Sequence, residues 1–171
     1  MLFKTDMGVD VEIEEKLRCY FFGRIFSTDE NGQPVGLAGF AIPDLGIIYR
    51  SRLRGSLFEC QYRGLLALLK FIETNKKNFR GISFEILSDS AVVIYQVTHK
   101  KFVSRELQSY YQSVLGYQDR IPFKVSWVPS QENIAVTGLV DMPSYKDDSD
   151  LNLEIELKDK YKELGKGYLM F

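Results

Sequence analysis

Asp89 occupies a position at which α/β proteins often carry a chemically active acid. The stretch EILSDSAVVIYQV, from Glu85 to Val97, changes from an apolar strand pattern to an apolar helix pattern at Ser88–Ser90. Ligands of α/β sheets collect at the carboxyl ends of strands, so a carboxylate there can take part in catalysis. An aspartate directly before a helix can equally cap its first turn. The local sequence leaves both roles open for Asp89.

Few residues in this chain could support other kinds of catalysis. His99 is the only histidine, which argues against Ser-His-Asp triads, Cys-His pairs and multi-histidine zinc sites. We expect His99 on the surface rather than in a proton relay. The two cysteines, Cys19 and Cys60, fall in different predicted elements and lack the spacing of metal ligands. They indicate reduced thiols in a cytoplasmic protein.

Two groups of basic residues could contact a phosphate backbone. Arg50, Arg52 and Arg54 alternate in YRSRLRG, which places them on one face of a strand. Their alternative role is to guard an edge strand against pairing with another chain. The second group lies in HKKFVSR and consists of Lys100, Lys101 and Arg105. Its alternative is a solvated loop and helix start. Because the net charge is −1, binding to nucleic acid would need such local patches, flanking one groove.

A mixed α/β framework must position these residues. Aromatic and β-branched residues from Arg18 to Phe26, followed by VGLAGFAI and LGIIYRSRL, predict three antiparallel strands with a hairpin at Asp29–Gly32. Ser56 opens a long helix with apolar residues at helical spacing. The elements that follow are a strand at 81–87, helices at 90–97 and 105–117, a strand in IPFKVSWV and a weaker helix at 131–140. Three antiparallel strands followed by β-α-β-α predict a mixed sheet flanked by helices.

The chain divides into one domain and a tail. Its 171 residues, of ordinary apolar and charged content, predict a domain at residues 1–144. Residues 145–171 are expected to form a C-terminal extension packed on that domain. The alternating segments VDVEIE, near the N terminus, and LNLEIEL, in the tail, are candidates to pair. The longest apolar run, Leu65–Leu69, is too short for a membrane span, and the opening stretch MLFKTDMGVD has no long apolar segment that could serve as a secretory signal.

Three motifs in order resemble type 1 ribonuclease H. FECQYRGLLALLKFI is similar to the family's first helix, with its Ala-Glu-Tyr-x-Ala-Leu type pattern, and EILSDSAVVIYQV to its Thr-Asp-Ser strand and helix. FKVSWVPSQENIAVTGL resembles the last strand and the Trp-Val-Pro-x-x-x-Asn-x-x-Ala-Asp stretch. The resemblance covers residues 18–140 and implies a five-stranded mixed sheet. It also implies hydrolysis of the RNA strand of RNA–DNA hybrids by two Mg²⁺ ions, which four carboxylates hold.

One of the four acids implied by this resemblance is present. Asp89 matches the third acid, whereas Phe22, Gln61 and Thr137 stand at the positions of the others. Asp141, four residues after Thr137, could approach as a weak substitute. Because Mg²⁺ is usually held by carboxylates together with substrate phosphates, one acid makes a poor site. We therefore expect no metal site, and Mg²⁺ or Mn²⁺ only if residual nuclease activity exists.

The residues implied to touch substrate differ as well. Where the family carries Thr-Asn-Asn before its helix glutamate, this chain has Ser56, Leu57 and Phe58. The two apolar side chains cannot donate to 2′-hydroxyls or base edges. Phe22 and Leu57 are expected to fill the vacated cleft, and the alternative is an exposed apolar patch that docks a protein. Trp127, in the last predicted strand, is expected in the core.

The sequence thus favours a ribonuclease H-like protein that has lost its nuclease site and binds RNA, DNA or a hybrid through the two basic groups. In that case Asp89 is a relic that caps the helix beginning near Ser90. One alternative is a protein-interaction or assembly module, or a homodimer, that uses the filled cleft face and the tail. A second is a weak or altered metal-dependent nuclease using Asp89 with Asp141. No membrane partner is expected.

Overall fold

The structure is a computed structural model that describes residues 2–4, 10–12, 15–101, 103–137 and 153–157. Its strands and helices are, in chain order, β1 (Leu2–Lys4), β2 (Asp10–Glu12), β3 (Glu15–Thr28), β4 (Pro34–Ile42), β5 (Ile47–Arg54), α1 (Leu57–Thr74), β6 (Ile82–Ser88), α2 (Ala91–His99), α3 (Gln108–Gln118), β7 (Phe123–Trp127), α4 (Ile134–Thr137) and β8 (Leu153–Leu157). Short 3₁₀ turns lie at Pro43–Leu45, Arg105–Leu107 and Ser130–Glu132. Within these ranges no helix is both long and apolar enough to cross a bilayer.

The main sheet has the strand order β7-β6-β3-β4-β5-β8. β3, β4 and β5 run antiparallel to one another in turn, whereas β6 is parallel to β3 and β7 is parallel to β6. The predicted five-stranded mixed sheet, three antiparallel strands followed by β-α-β-α, is confirmed. A sixth strand extends it, because β8 pairs antiparallel with β5, with Ile155 opposite Tyr49.

The two alternating segments do not pair with each other, so that expectation is wrong. The N-terminal strand β2 pairs antiparallel with β1 instead, with Val11 opposite Phe3. A hairpin closes a far shorter loop than pairing between distant segments, and it therefore costs less conformational entropy. The C-terminal strand β8 joins the main sheet at β5.

α1 begins where the sequence predicts, at a capping box. Ser56 Oγ accepts from the Glu59 amide at 3.3 Å, and Glu59 Oε2 accepts from the Ser56 amide at 2.6 Å. The two bonds satisfy amide groups that the first turn of a helix leaves unpaired. The helix ends at Thr74, and the side-chain amide of the next residue, Asn75, donates to the Phe71 carbonyl at 2.9 Å.

The two faces of the main sheet carry different cores. Strand alternation directs Cys19, Phe21 and Phe40 toward α1, α2 and α3, where they join the larger apolar cluster. The opposite face carries a smaller cluster, made of Tyr20, Phe22, Ala41, Leu87 and Ala135. Ala135 belongs to α4, so α4 covers the middle of β3 on this second face.

α1 crosses β3 at very short range. Gly23 of β3 faces the helix, and a methyl group on it would overlap the backbone of Cys60 and Gln61. Only glycine permits two backbones to approach so closely. Packing of backbone on backbone therefore fixes the position of Gln61 over the carboxyl-terminal half of β3.

Candidate functional site

β3 and β6 separate toward their carboxyl ends, and side chains bridge the gap. The parallel pairing of the two strands ends at Tyr20 and Leu87. The carbonyl of the next residue of β3, Phe21, accepts from Ser88 Oγ at 2.8 Å and from Asn133 Nδ2 at 2.9 Å. The strand ends therefore open into a small polar cleft.

Three side chains bind the carboxylate of Asp89 in this cleft. Oδ2 accepts from Arg24 Nη2 and from Ser130 Oγ, both at 2.6 Å, and Oδ1 accepts from Asn133 Nδ2 at 2.9 Å. The Asp89 side chain is 10% exposed and the Arg24 side chain 42%. Arg24 balances the negative charge, and the two neutral donors satisfy further lone pairs of the carboxylate. Asp89 thereby connects β3 and β6 to the segment between β7 and α4.

The predicted helix cap by Asp89 is wrong. α2 begins at Ala91, and its N-cap residue is Ser90, which makes no side-chain capping bond. The Ser90 amide donates to Ser88 Oγ at 3.1 Å. Asp89 does not cap the helix because its two oxygens point across the cleft, to donors on other elements.

Arg24, Ser130 and Asn133 were not predicted from the sequence as partners of Asp89. A signal was present for Arg24, since it lies two residues after Phe22 and strand alternation places both on one face. Asn133 is buried, and its Oδ1 accepts from the Ala135 amide at 3.1 Å, so the same side chain also starts α4. Nothing in the sequence distinguishes Ser130 from other polar loop residues.

Neutral groups stand at the positions of the three missing acids. Phe22 is 1% exposed and packs in the smaller cluster beside α4, so it fills the cleft as expected. Gln61 has a buried Oε1 atom without a hydrogen-bond partner among the described residues. Thr137 is exposed at the end of α4, and its hydroxyl donates to the Ile134 carbonyl at 3.4 Å.

The residues present do not fit the two Mg²⁺ ions that the resemblance implies. Within the described ranges, no three His, Cys, Asp or Glu side chains converge on a common point. Where one acid remains, the Arg24 guanidinium stands beside the carboxylate in the place of a cation. A divalent ion would have to displace Arg24 and would then meet Phe22 instead of a second carboxylate. Asp141, the predicted substitute, lies outside the described residues.

Two expectations about apolar residues are wrong. Leu57 and its neighbour Phe58 are exposed on the first turn of α1, so Leu57 does not fill the cleft. Trp127 is 54% exposed and not in the core. It is the last residue of β7, which is an edge strand of the described sheet, and so few elements surround it.

The arginines of β5 do not form an exposed ladder. Pairing with β8 makes β5 an interior strand, so the edge-guard role is wrong. Arg50 is 4% exposed and lies between Gly39 of β4 and Glu154 of β8 in the sheet register. A side chain this buried cannot contact a phosphate backbone without rearrangement.

The other two arginines of β5 have contacts within the protein. The guanidinium carbon of Arg52 lies 5.4 Å from the centroid of the Phe26 ring, a cation–π contact. Arg54 Nε lies 3.2 Å from Asp29 Oδ2 in the hairpin that joins β3 to β4. The Arg54 side chain is 71% exposed, so solvent screens the pair and weakens it.

The second basic group remains on the surface. Lys100, Lys101 and Arg105 are all exposed between α2 and α3, and none joins an ion pair among the described residues. Lys100 ends α2 in the left-handed region, with φ of 50°. His99 is exposed as predicted, and its ring centroid lies 4.6 Å from that of Tyr95.

The architecture has counterparts among solved structures. A ribonuclease H1 isolated from compost by a metagenomic approach matches with a TM-score of 0.59 at 14% identity, covering 73% of this chain and 92% of its own. The same enzyme in complex with an RNA/DNA hybrid gives 0.56 at 12% identity, with 72% and 92% covered. Ribonuclease H1 from Halobacterium salinarum NRC-1 gives 0.53 at 19% identity, with 72% and 93% covered. No protein-family model and no curated protein matches the chain.

At these identities the similarity concerns the fold. The order of strands, the parallel and antiparallel pairing and the helices on the sheet define a ribonuclease H-like fold. The fold that the resemblance implies is thereby confirmed.

Proposed function

We propose that this protein is a catalytically degenerate ribonuclease H-like module that binds nucleic acid and does not hydrolyse it by a two-metal mechanism. The observation that carries the proposal is the ion pair between Arg24 and Asp89. A metal-binding carboxylate needs oxygens open to a cation, whereas this carboxylate already accepts from three donors. The guanidinium supplies the positive charge that a metal ion would supply in an active site.

Removal of the other acids fits the same proposal. Several carboxylates around one cleft repel each other and raise one another's pKa in the absence of metal. A chain released from catalysis gains stability when such groups are replaced by a packed side chain. Phe22, buried in the smaller cluster, is a replacement of this kind.

Two observations support nucleic acid as the partner. A protein with the same fold forms a complex with an RNA/DNA hybrid. In this chain Lys100, Lys101 and Arg105 keep their charges exposed and outside the described ion pairs. Such cations attract the phosphate backbone without regard to sequence, and binding through them weakens as salt rises. Arg52 and Arg54 contribute less in this proposal, because each has a contact inside the protein.

The test combines binding and cleavage. Single-stranded, duplex and hybrid oligonucleotides are titrated at two salt concentrations, and the same substrates are incubated with Mg²⁺ and with Mn²⁺. We expect salt-dependent binding of at least one substrate and no metal-dependent cleavage. Absence of binding at low salt would contradict the nucleic-acid role. Cleavage that disappears in an Asp89→Asn variant would show a weak nuclease and contradict the loss of catalysis.

A protein-interaction module is the second candidate, because one observation favours it. Leu57 and Phe58 expose adjacent apolar side chains at the start of α1, where a substrate-binding protein would need polar ones. Sedimentation of the wild type and of a Leu57→Ser/Phe58→Ser variant tests self-association through this patch. A concentration-dependent dimer that the double substitution abolishes would favour this role.

A further inference from the structure

α1 and α3 run side by side in the same direction. Near their starts, Arg63 Nη2 donates to Tyr110 Oη at 3.3 Å. Near their ends, Arg120 Nε donates to Glu73 Oε1. A surface cavity of about 550 Å³ lies between the two helices. We call this cavity the α1–α3 trough, and the residues of its wall used below are Arg63, Leu66, Ala67, Lys70, Tyr117 and Arg120.

The trough is cationic along its length. Arg63 and Lys70 are two helical turns apart on α1, and neither joins an ion pair among the described residues. Arg120 adds a third cation from α3, although Glu73 partly neutralises it. Seven residues of helix separate Arg63 from Lys70 by about 10 Å along the axis. That distance is too long for one phosphate to bridge but suits a chain that carries several.

The arginines at the two ends are held in place by aromatic rings. The Arg63 guanidinium carbon lies 5.8 Å from the Tyr110 ring centroid, and that of Arg120 lies 4.8 Å from the Tyr117 centroid. Such contacts reduce the rotamer freedom that the arginines would otherwise lose on binding. Between the cations, Leu66 and Ala67 make part of the wall apolar. Charged side chains, the Tyr117 ring and apolar side chains therefore all line the trough.

Two further features lie near the trough. Arg105 lies in the turn directly before α3, at the end where Arg63 contacts Tyr110. On its other side, a smaller cavity of about 290 Å³ shares Arg63 and Ala67 with the trough and extends to β5. A linear ligand could therefore follow the helix pair from the exposed Lys100, Lys101 and Arg105 side chains to Arg120.

We propose that the α1–α3 trough binds single-stranded nucleic acid, with its phosphates on Arg63, Lys70 and Arg120 and its bases against the apolar and aromatic wall. This proposal rests on the proposed function and names the surface and the ligand class. A groove that tracks the backbone with cations and offers aromatic rings to bases is the general solution for single strands. A duplex keeps its bases stacked inside and could meet only the rim of a trough between two adjacent helices. The trough lies on the helical side of the sheet, away from the cleft of Asp89.

The test uses fluorescence anisotropy of a labelled oligodeoxythymidylate and of a blunt duplex, each at two or more salt concentrations. The trough variant is Arg63→Gln/Lys70→Gln. The matched control is Lys16→Gln/Lys124→Gln, which removes the same charge from exposed positions at the start of β3 and on β7. A charge-keeping variant, Arg63→Lys/Lys70→Arg, controls for shape. Thermal melting of all variants checks that each is folded.

We expect the trough variant to bind the single strand roughly tenfold more weakly, with a log–log salt slope smaller by about 1.4, since each lost phosphate contact on single strands contributes about 0.7. The control and the charge-keeping variant should stay within about twofold of the wild type. If the trough variant and the control lose affinity equally, the trough is not the binding surface, although the proposed function still stands. A preference for the duplex, or full competition by inorganic polyphosphate, contradicts the single-strand assignment. No binding by the wild type contradicts the proposed function itself.

Discussion

Arg24 Nη2 lies 2.6 Å from Asp89 Oδ2, and this ion pair joins β3 to the residue that follows β6. The backbones of the two strands no longer pair at this point, so side chains connect them instead. Ser130 and Asn133 bring the segment after β7 to the same carboxylate. One acidic side chain thus ties three separate parts of the chain at the carboxyl ends of the central strands.

Asp89→Ala should destabilise the protein by about 2 kcal/mol, because it leaves the buried Asn133 amide with one acceptor fewer and Arg24 without its partner. The share from Arg24 is small, since its side chain is 42% exposed and solvent screens the charge. Urea unfolding measures the difference. The control is Glu85→Ala, which removes the exposed ion pair with Arg18 and should cost no more than about 0.5 kcal/mol. If both substitutions lowered the free energy of unfolding equally, Asp89 would not hold these parts of the chain together.

Phe22→Ala should cost about 3–5 kcal/mol, because the ring is 1% exposed and leaves a cavity beside α4. Phe22→Asp should cost more, since it also places an unpaired carboxylate in that cavity. Chemical denaturation with circular dichroism provides the measurement. Phe26→Ala is the control, an exposed phenylalanine on the same strand, with an expected cost of about 1 kcal/mol or less. A Phe22→Asp variant that keeps wild-type stability and gains Mg²⁺ binding would show an open cleft and contradict the proposed loss of the site.

Both cysteines should resist alkylation in the folded protein. Burial raises the pKa of the Cys60 thiol from 9.0 to about 11, and burial also raises the pKa of the Cys19 thiol. The reactive thiolate is therefore scarce at pH 8. Iodoacetamide followed by intact-mass measurement should show no adduct in buffer and two adducts in urea. Rapid modification of the folded protein at pH 8 would mean that Cys60 is not buried as the structure has it.

Because the pKa of the Cys60 thiol is raised in the folded protein, we expect the free energy of unfolding to depend on pH in the alkaline range. An unfolded thiol ionises near its ordinary value of 9.0, whereas folded Cys60 stays protonated until about 11. The unfolded state therefore binds fewer protons between these values, and stability is lost as the pH rises from 9.0 toward about 11. Cys60→Ala should flatten part of this decline in urea unfolding series. An unchanged slope would assign the decline to other groups.

Trp127 should behave as a solvent-exposed fluorophore. It is the only tryptophan and is 54% exposed at the end of β7. We expect emission close to that of the unfolded chain and ready quenching by acrylamide, with Trp127→Phe as the blank. Blue-shifted emission protected from acrylamide would place the indole in a core or an interface instead.

Local patterns predicted most elements because those elements depend on nearby residues. Ser56 and Glu59 form the capping box within one turn, and Phe22, expected from the resemblance to fill the cleft, is buried. Surroundings supplied by distant segments were not predictable in the same way. Arg50 is buried because β8 pairs with β5, and Trp127 is exposed because β7 is the outermost strand on its side of the described sheet.

The candidate site was also only partly predictable from the sequence. The sequence placed Asp89 at the end of a strand, and the resemblance indicated which acids are missing. Its hydrogen-bond partners come from β3 and from the segment after β7, which are distant in sequence. Whether Asp89 caps α2 or links β3 to the segment after β7 depends on which donors reach its carboxylate. Only the assembled sheet determines that.

The pairing of β8 with β5 also sets an order of events during synthesis. β5 leaves the ribosome long before residues 153–157 are made, and until then the backbone groups of its outer edge have no strand to bond. An open strand edge is a template for pairing with other chains. During synthesis there is therefore an interval in which most of the sheet can form while the outer edge of β5 is still able to pair with other chains. Pairing of β8 with β5 ends this interval.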